Sequence, residues 1–226
     1  MMKRVPEPEL MNDKEQARAY ANADFEEPHS HFIELFRARF PGKIKGETIL
    51  DLGCGSADIA VRFAWAYPDC HLVGVDGSAS MLNEARKAID NTSLKNRITL
   101  IQARLPGIKL PHDYYNTIIS NSLLHHLHNP AVLWKTINQY STDESRVFIM
   151  DLMRPDSEEA ARQLVDTYAA NEPDILRRDF YNSLKAAFTL EEVREQLVEA
   201  SLDYWIVEQV TDRHLVVYNH NVGMVA

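Results

Sequence analysis

Short apolar runs alternate with amphipathic stretches through most of this chain. The runs at 47–52, 71–76, 97–102, 115–121 and 145–151 read as strands, and 56–66, 78–90 and 129–140 as helices between them. Pro68 ends the first of these helices, and Ser78 is placed to cap the second. Strands joined through helices imply right-handed crossovers and a parallel sheet covered on both faces. Before them, 10–24 and 28–40 read as helices separated by Glu26-Glu27-Pro28, with Phe32, Leu35 and Phe36 on one face of the second. After Pro155 come amphipathic helices at 156–171 and 189–200, with a less regular stretch at 172–188. Two strands follow, near 203–210 and 213–219, joined by Thr211-Asp212, and so short a join implies an antiparallel pair.

The pattern predicts an α/β fold in one domain. Residues 1–45 form a helical cap with a frayed start at 1–9, 46–151 a ligand-binding core, 152–202 a helical segment and 203–220 a closing hairpin. Ligands in such sheets sit beyond the carboxyl ends of the strands, where Asp51, Asp76, Ala103, Asn121 and Asp151 fall. Length and hydrophobic content allow a well-buried core: 226 residues, 45% hydrophobic and 25% charged. The net charge of −9 argues against a nucleic-acid partner, which asks for a basic stripe. A small molecule is the expected substrate. Two cysteines, Cys54 and Cys70, give no disulfide framework. With no apolar leader and no bilayer-length run, a cytoplasmic protein is expected, with no membrane partner, as monomer or homodimer.

The chemistry concentrates in Asp51-Leu52-Gly53-Cys54-Gly55, closing the run Thr48-Ile49-Leu50. It sets a carboxylate at a strand tip and two glycines in the turn before a helix, where bare N–H groups approach a ligand. The carboxylate favours a ligand that also carries a cation. Twenty-five positions on (76 − 51), Leu72-Val73-Gly74-Val75 ends in Asp76, placed to accept two ribose hydroxyls. A dinucleotide fingerprint would want a third glycine near position 58, which is Asp58.

Asp51-x-Gly53-x-Gly55 followed by Val75-Asp76-Gly77-Ser78 resembles the class I S-adenosylmethionine-dependent methyltransferases. The resemblance implies a Rossmann-like seven-stranded sheet, mostly parallel with an antiparallel last strand, helices on both faces, and a helical lid built from the N-terminus and from the segment after strand five. It implies S-adenosylmethionine as cofactor and S-adenosylhomocysteine as product. Asp51, Gly53 and Gly55 would hold the methionine end, Asp76 and Gly77 the ribose side, and Met81 would pack on the adenine, unless it is simply core. Where many relatives carry an acid after strand three, this chain has Gln102-Ala103-Arg104, so adenine contacts would come from the backbone at Ala103 and Arg104 or from Gln102. Asn121 would meet the cofactor's ammonium. Tyr20 matches a lid tyrosine in similar proteins, or packs in the core.

Four residues are candidates for the reaction. His126, in Leu124-His125-His126-Leu127-His128, faces the methyl group while His125 packs inside. Asp151 and Tyr181 are alternative proton acceptors. Arg154, in Asp151-x-x-Arg154-Pro155, resembles a segment of the quinone-biosynthesis C-methyltransferases and their small-molecule relatives. It pairs either with a substrate carboxylate or with the helix that follows. No metal site is expected, because no carboxylate lies near the histidines in sequence. Two other readings stay open: an NAD-linked oxidoreductase on a similar fold, and a non-catalytic cofactor-binding or partner module.

Overall fold

The computed structural model describes residues 2–42 and 44–219. The expected domain boundaries at 220 and 226 therefore lie outside the described residues. Seven strands form one sheet in the order β3-β2-β1-β4-β5-β7-β6. β1 (Thr48–Leu52), β2 (His71–Asp76), β3 (Ile98–Gln102), β4 (Thr117–Asn121) and β5 (Arg146–Leu152) run parallel. β7 (His214–Tyr218) runs antiparallel to β5 and to β6 (Ile206–Gln209). The expected topology is thus the observed one. The order reverses between β1 and β4, and the crevice opens there.

Alternation along each strand builds two cores. Ile49, Leu72, Ile119, Phe148 and Val216 face one side, under α2 (Glu26–Arg39), α3 (Asp58–Ala66) and α4 (Ala79–Asp90). Leu50, Val73, Ile118, Ile149 and Val217 face the other, under α5 (Ala131–Tyr140) and α8 (Leu190–Glu199). A third, smaller cluster joins Leu152 to α6 (Glu158–Tyr168) and α7 (Asp174–Ala186), above the strand ends.

Three expectations change. The stretch 172–188 holds a regular helix, α7, whose Leu176, Phe180 and Leu184 recur every fourth residue; the charged run 177–179 between them hides the pattern in sequence. Pro28 lies inside the first turn of α2, where the missing N–H has no helical acceptor to lose. Residues 2–12 are a bound strap. Met2 N–H donates to Asp156 O (2.9 Å) and Val5 N–H to Lys185 O (3.0 Å). Arg4 donates to the carbonyls of Ala186 (2.6 Å), His125 and Leu127 (both 3.0 Å) and lies over the Phe188 ring, 3.9 Å from its centroid. The segment is polar in sequence, yet its guanidinium satisfies carbonyls at helix and turn ends that would otherwise lack donors.

Candidate functional site

β1 ends on Asp51-Leu52, and the chain then turns through Gly53 (φ +74°) and Gly55 (φ +52°). A Cβ on Gly53 would stand 2.8 Å from Leu123 Cβ, so only hydrogen fits. Ala57, also left-handed at φ +67°, delays the helix start to Asp58 rather than Ser56. The glycine turn is tied to the neighbouring strand end. Gly53 and Cys54 N–H groups donate to Val75 O, and Gly55 N–H donates to Asp76 Oδ2 (2.9 Å). The other Asp76 oxygen accepts from Ser78 N–H (2.7 Å), while Ser78 caps α4 through Met81 N–H. Asp76 is thus locked at the cleft rim with a lone pair to spare on each oxygen. Burial raises its pKa, opposed by these two N–H donors.

Asp51 is 1% exposed, and its Oδ2 has no hydrogen-bond partner among the described residues. Burial, and next the Asp76 charge, push its pKa up to about 7. An orphaned buried carboxylate at the tip of β1 is what a cation-bearing ligand satisfies. All ten residues expected to hold a cofactor line this one cleft: Tyr20, Asp51, Gly53, Gly55, Asp76, Gly77, Met81, Ala103, Arg104 and Asn121. Gln102, the alternative near the adenine side, does not line it. The cleft also takes residues without a sequence signal, among them Met11 and His29 from the N-terminal segments. Ser122 (φ +56°) has a backbone signal only visible in the fold. Asp58, where a dinucleotide site would want glycine, is filled by His29 Nδ1 (2.5 Å) and Arg62 Nε (2.7 Å).

A second cavity of about 460 Å³ adjoins the cleft. The two share a wall of Met11, Tyr20, His29, Asn121, Ser122 and His126. Beyond it stand Phe25 on one side and Phe180 and Tyr168 on the other, so the N-terminal cap and the α6–α7 lid both contribute. The lining carries Asp24, Glu26, Glu27, Glu172 and Asp179 against Arg213, giving a negative character. Burial pushes the Tyr20 hydroxyl up to about 12, so it stays protonated.

The four reaction candidates separate. His126 reaches the shared wall as expected, but burial, followed by the neighbouring His125, pulls its pKa down to about 3. Such a ring is a poor proton acceptor near neutrality. Asp151 is buried away from both cavities. Its Oδ1 takes His125 Nδ1 (2.5 Å) and Leu152 N–H (2.7 Å), and its Oδ2 takes Leu124 N–H (2.7 Å). It positions His125 from outside both cavities. Tyr181 faces away from the cavities. Its hydroxyl donates to Glu158 Oε2 (3.1 Å), because one helical step of about 100° separates it from the inward Phe180. Arg154 takes the ion-pair alternative, with a partner other than the next helix: it donates to Glu192 Oε1 on α8 (2.6 Å) and to Ala187 O (3.1 Å).

The histidines gain carboxylates that the sequence spacing does not bring near. Asp151 holds His125, and Glu7 of the strap reaches both rings, with Oε1 3.6 Å from His125 Nε2 and 3.2 Å from His126 Nδ1. The expectation that no partner carboxylate stands near them is therefore wrong. Its premise was distance along the chain, and the strap folds back across 118 positions (125 − 7).

Residues 49–142 match the family model of a methyltransferase domain. The chain is 25% identical over 129 residues to the (S)-tetrahydroprotoberberine N-methyltransferase of Eschscholzia californica, covering 57% of this chain and 36% of that protein. It is 24% identical over 115 residues to the ubiquinone/menaquinone biosynthesis C-methyltransferase of Vibrio parahaemolyticus, covering 50% and 44%. In both cases the chain spans less than half of the relative's length. Among solved structures, the plantazolicin methyltransferase in complex with a triazolic desmethylPZN analog and S-adenosylhomocysteine shares the fold. Its TM-score is 0.66 at 16% identity, over 91% of this chain and 89% of that one.

Proposed function

We propose that this chain, a class I S-adenosylmethionine-dependent methyltransferase by its strand-end motifs, sheet order and domain match, methylates a small molecule held in the 460 Å³ cavity. The observation that carries the reading is the shared wall. A cleft with the orphaned Asp51 carboxylate and the rim carboxylate Asp76 meets a separate cavity across six residues. The cavity falls within the usual size range of small-molecule sites, about 300–1,000 Å³.

The residues present fit the cofactor. Asp51 and Asn121 would take its ammonium end, Gly53 and Gly55 its amino-acid backbone, and Asp76 its ribose, with Met81 and Ala103 along the adenine. When bound, it supplies a methyl carbon on a positively charged sulfur, open to in-line displacement. The chain's own work is alignment and exclusion of water. Orientation of two reactants is worth roughly 7–11 kcal/mol in favourable cases. Tyr20 and His126 set the acceptor against the wall as a donor and a neutral ring. The acidic lining favours an amine.

The test has two stages. Calorimetry should show S-adenosylhomocysteine binding and no NADH binding. Incubation of S-adenosylmethionine with panels of amines, thiols and phenols should release S-adenosylhomocysteine, fastest with amines, and Asp76→Ala should abolish it. Absence of binding ends the proposal. Binding without turnover on any class leaves the non-catalytic module as the surviving reading.

A further inference from the structure

Three acceptor atoms converge beside the shared wall: one nitrogen each of His125 and His126, and Glu7 Oε1, which also accepts from the Ser183 hydroxyl (2.9 Å) and keeps a further lone pair. The His125 ring gives its Nδ1–H to Asp151 Oδ1 (2.5 Å), which leaves a lone pair on Nε2. His126 Nδ1 is buried with no hydrogen-bond partner among the described residues, and in the tautomer protonated at Nε2 its lone pair is free. Both lone pairs stand near one oxygen, Glu7 Oε1, at 3.6 and 3.2 Å. All three ligand atoms lie within 4.8 Å of one another.

A proton can bridge only one pair of these atoms. A metal ion satisfies all three. Bonds of about 2.0–2.1 Å to nitrogen and oxygen in tetrahedral geometry put ligand atoms roughly 3.3–3.4 Å apart, between the two distances observed. The outer contacts are also those of a metal centre. A ligating histidine gives its other ring N–H to a carboxylate or a backbone carbonyl, which fixes tautomer and orientation. Here Asp151 does this for His125.

We propose that Glu7, His125 and His126 form a three-ligand site for a borderline divalent transition metal of the zinc class, with a remaining coordination position toward the larger cavity. Two imidazoles and one carboxylate suit zinc or cobalt better than magnesium or calcium, which prefer all-oxygen sets. His125 and His126 both line the cavity, so the remaining position faces the acceptor space. Because Glu7 comes from the strap, an ion would also tie residues 2–12 to the turn after β4. The site stands whether or not methyl transfer is the reaction.

The protein, stripped with EDTA and dialysed, is titrated with Zn²⁺ by calorimetry and with Co²⁺ by visible absorption. One ion per chain is expected, with cobalt bands of tetrahedral intensity. Glu7→Gln and His126→Gln should each weaken Zn²⁺ binding at least about 10–100-fold, while His71→Gln, on the exposed start of β2, should leave it unchanged. Circular dichroism on each variant checks folding, and Glu7→Gln changes one partly exposed side chain, so it tests the site even if His126→Gln misfolds. No stoichiometric binding, or equal binding by wild type and Glu7→Gln, overturns the proposal. Binding of S-adenosylhomocysteine, measured on the same samples, reports separately on the cofactor cleft.

Discussion

Asp51 links ligand binding to a proton. In the folded protein its pKa is about 7 against 3.8 in the unfolded chain, and burial is the main cause. The folded state therefore binds this proton more tightly. The stabilising contribution is complete below about pH 4 and is lost as pH rises to 7, a difference of about 4 kcal/mol at most (3.2 pKa units at 1.36 kcal/mol each). A ligand ammonium beside the carboxylate reverses the preference and expels the proton. At pH 6 a group with pKa near 7 is about 90% protonated, so S-adenosylhomocysteine binding should release about 0.9 proton; at pH 8 the figure falls to about 0.1. Calorimetry in buffers of differing ionisation enthalpy reads this number directly. Asp51→Asn removes the titrating group, so release at pH 6 should drop to the remainder contributed by Asp76. If the variant releases as many protons as the wild type, Asp51 does not meet the cation and the argument from its orphaned oxygen fails.

Other outcomes follow from the same geometry. Gly53→Ala meets both a left-handed backbone and Leu123 Cβ at 2.8 Å, whereas Gly107→Ala at φ +83° meets nothing within 4 Å. The first should lose about 1–3 kcal/mol more than the second in denaturant unfolding. Asp76→Ala frees two N–H donors and removes the proposed ribose acceptor, so S-adenosylhomocysteine binding should be lost to calorimetry, in step with the loss of turnover. Arg4→Ala removes donors from three carbonyls, and should lower stability by about 2–4 kcal/mol and expose residues 2–12 to limited proteolysis; an unchanged cleavage pattern would contradict the bound strap. Tyr181→Phe, outside both cavities, should leave turnover within about twofold in the assay that Asp76→Ala abolishes.

The alternation of apolar runs determined the sheet, and two short motifs determined the cofactor cleft. These were legible because each is local. A strand's two faces follow from a period of two, and a glycine turn between strand and helix needs only neighbouring residues. Nine of the ten cofactor candidates converge because each sits at a strand end, in the turn after one, or on the helix that follows it, whereas Tyr20 comes from the N-terminal helix Lys14–Asn22. The reaction side was not legible. Whether Tyr181 or Phe180 faces inward depends on the rotation of α7 against its neighbours. Arg154 finds Glu192 from an element 38 positions away, and Asp151 turns toward His125 rather than toward the acceptor space. The polar strap reads as solvated because nothing in its composition reveals that Arg4 and Glu7 will be enclosed. Long-range pairing of buried charge is decided by which surfaces the chain closes together, and only the tertiary structure carries that information.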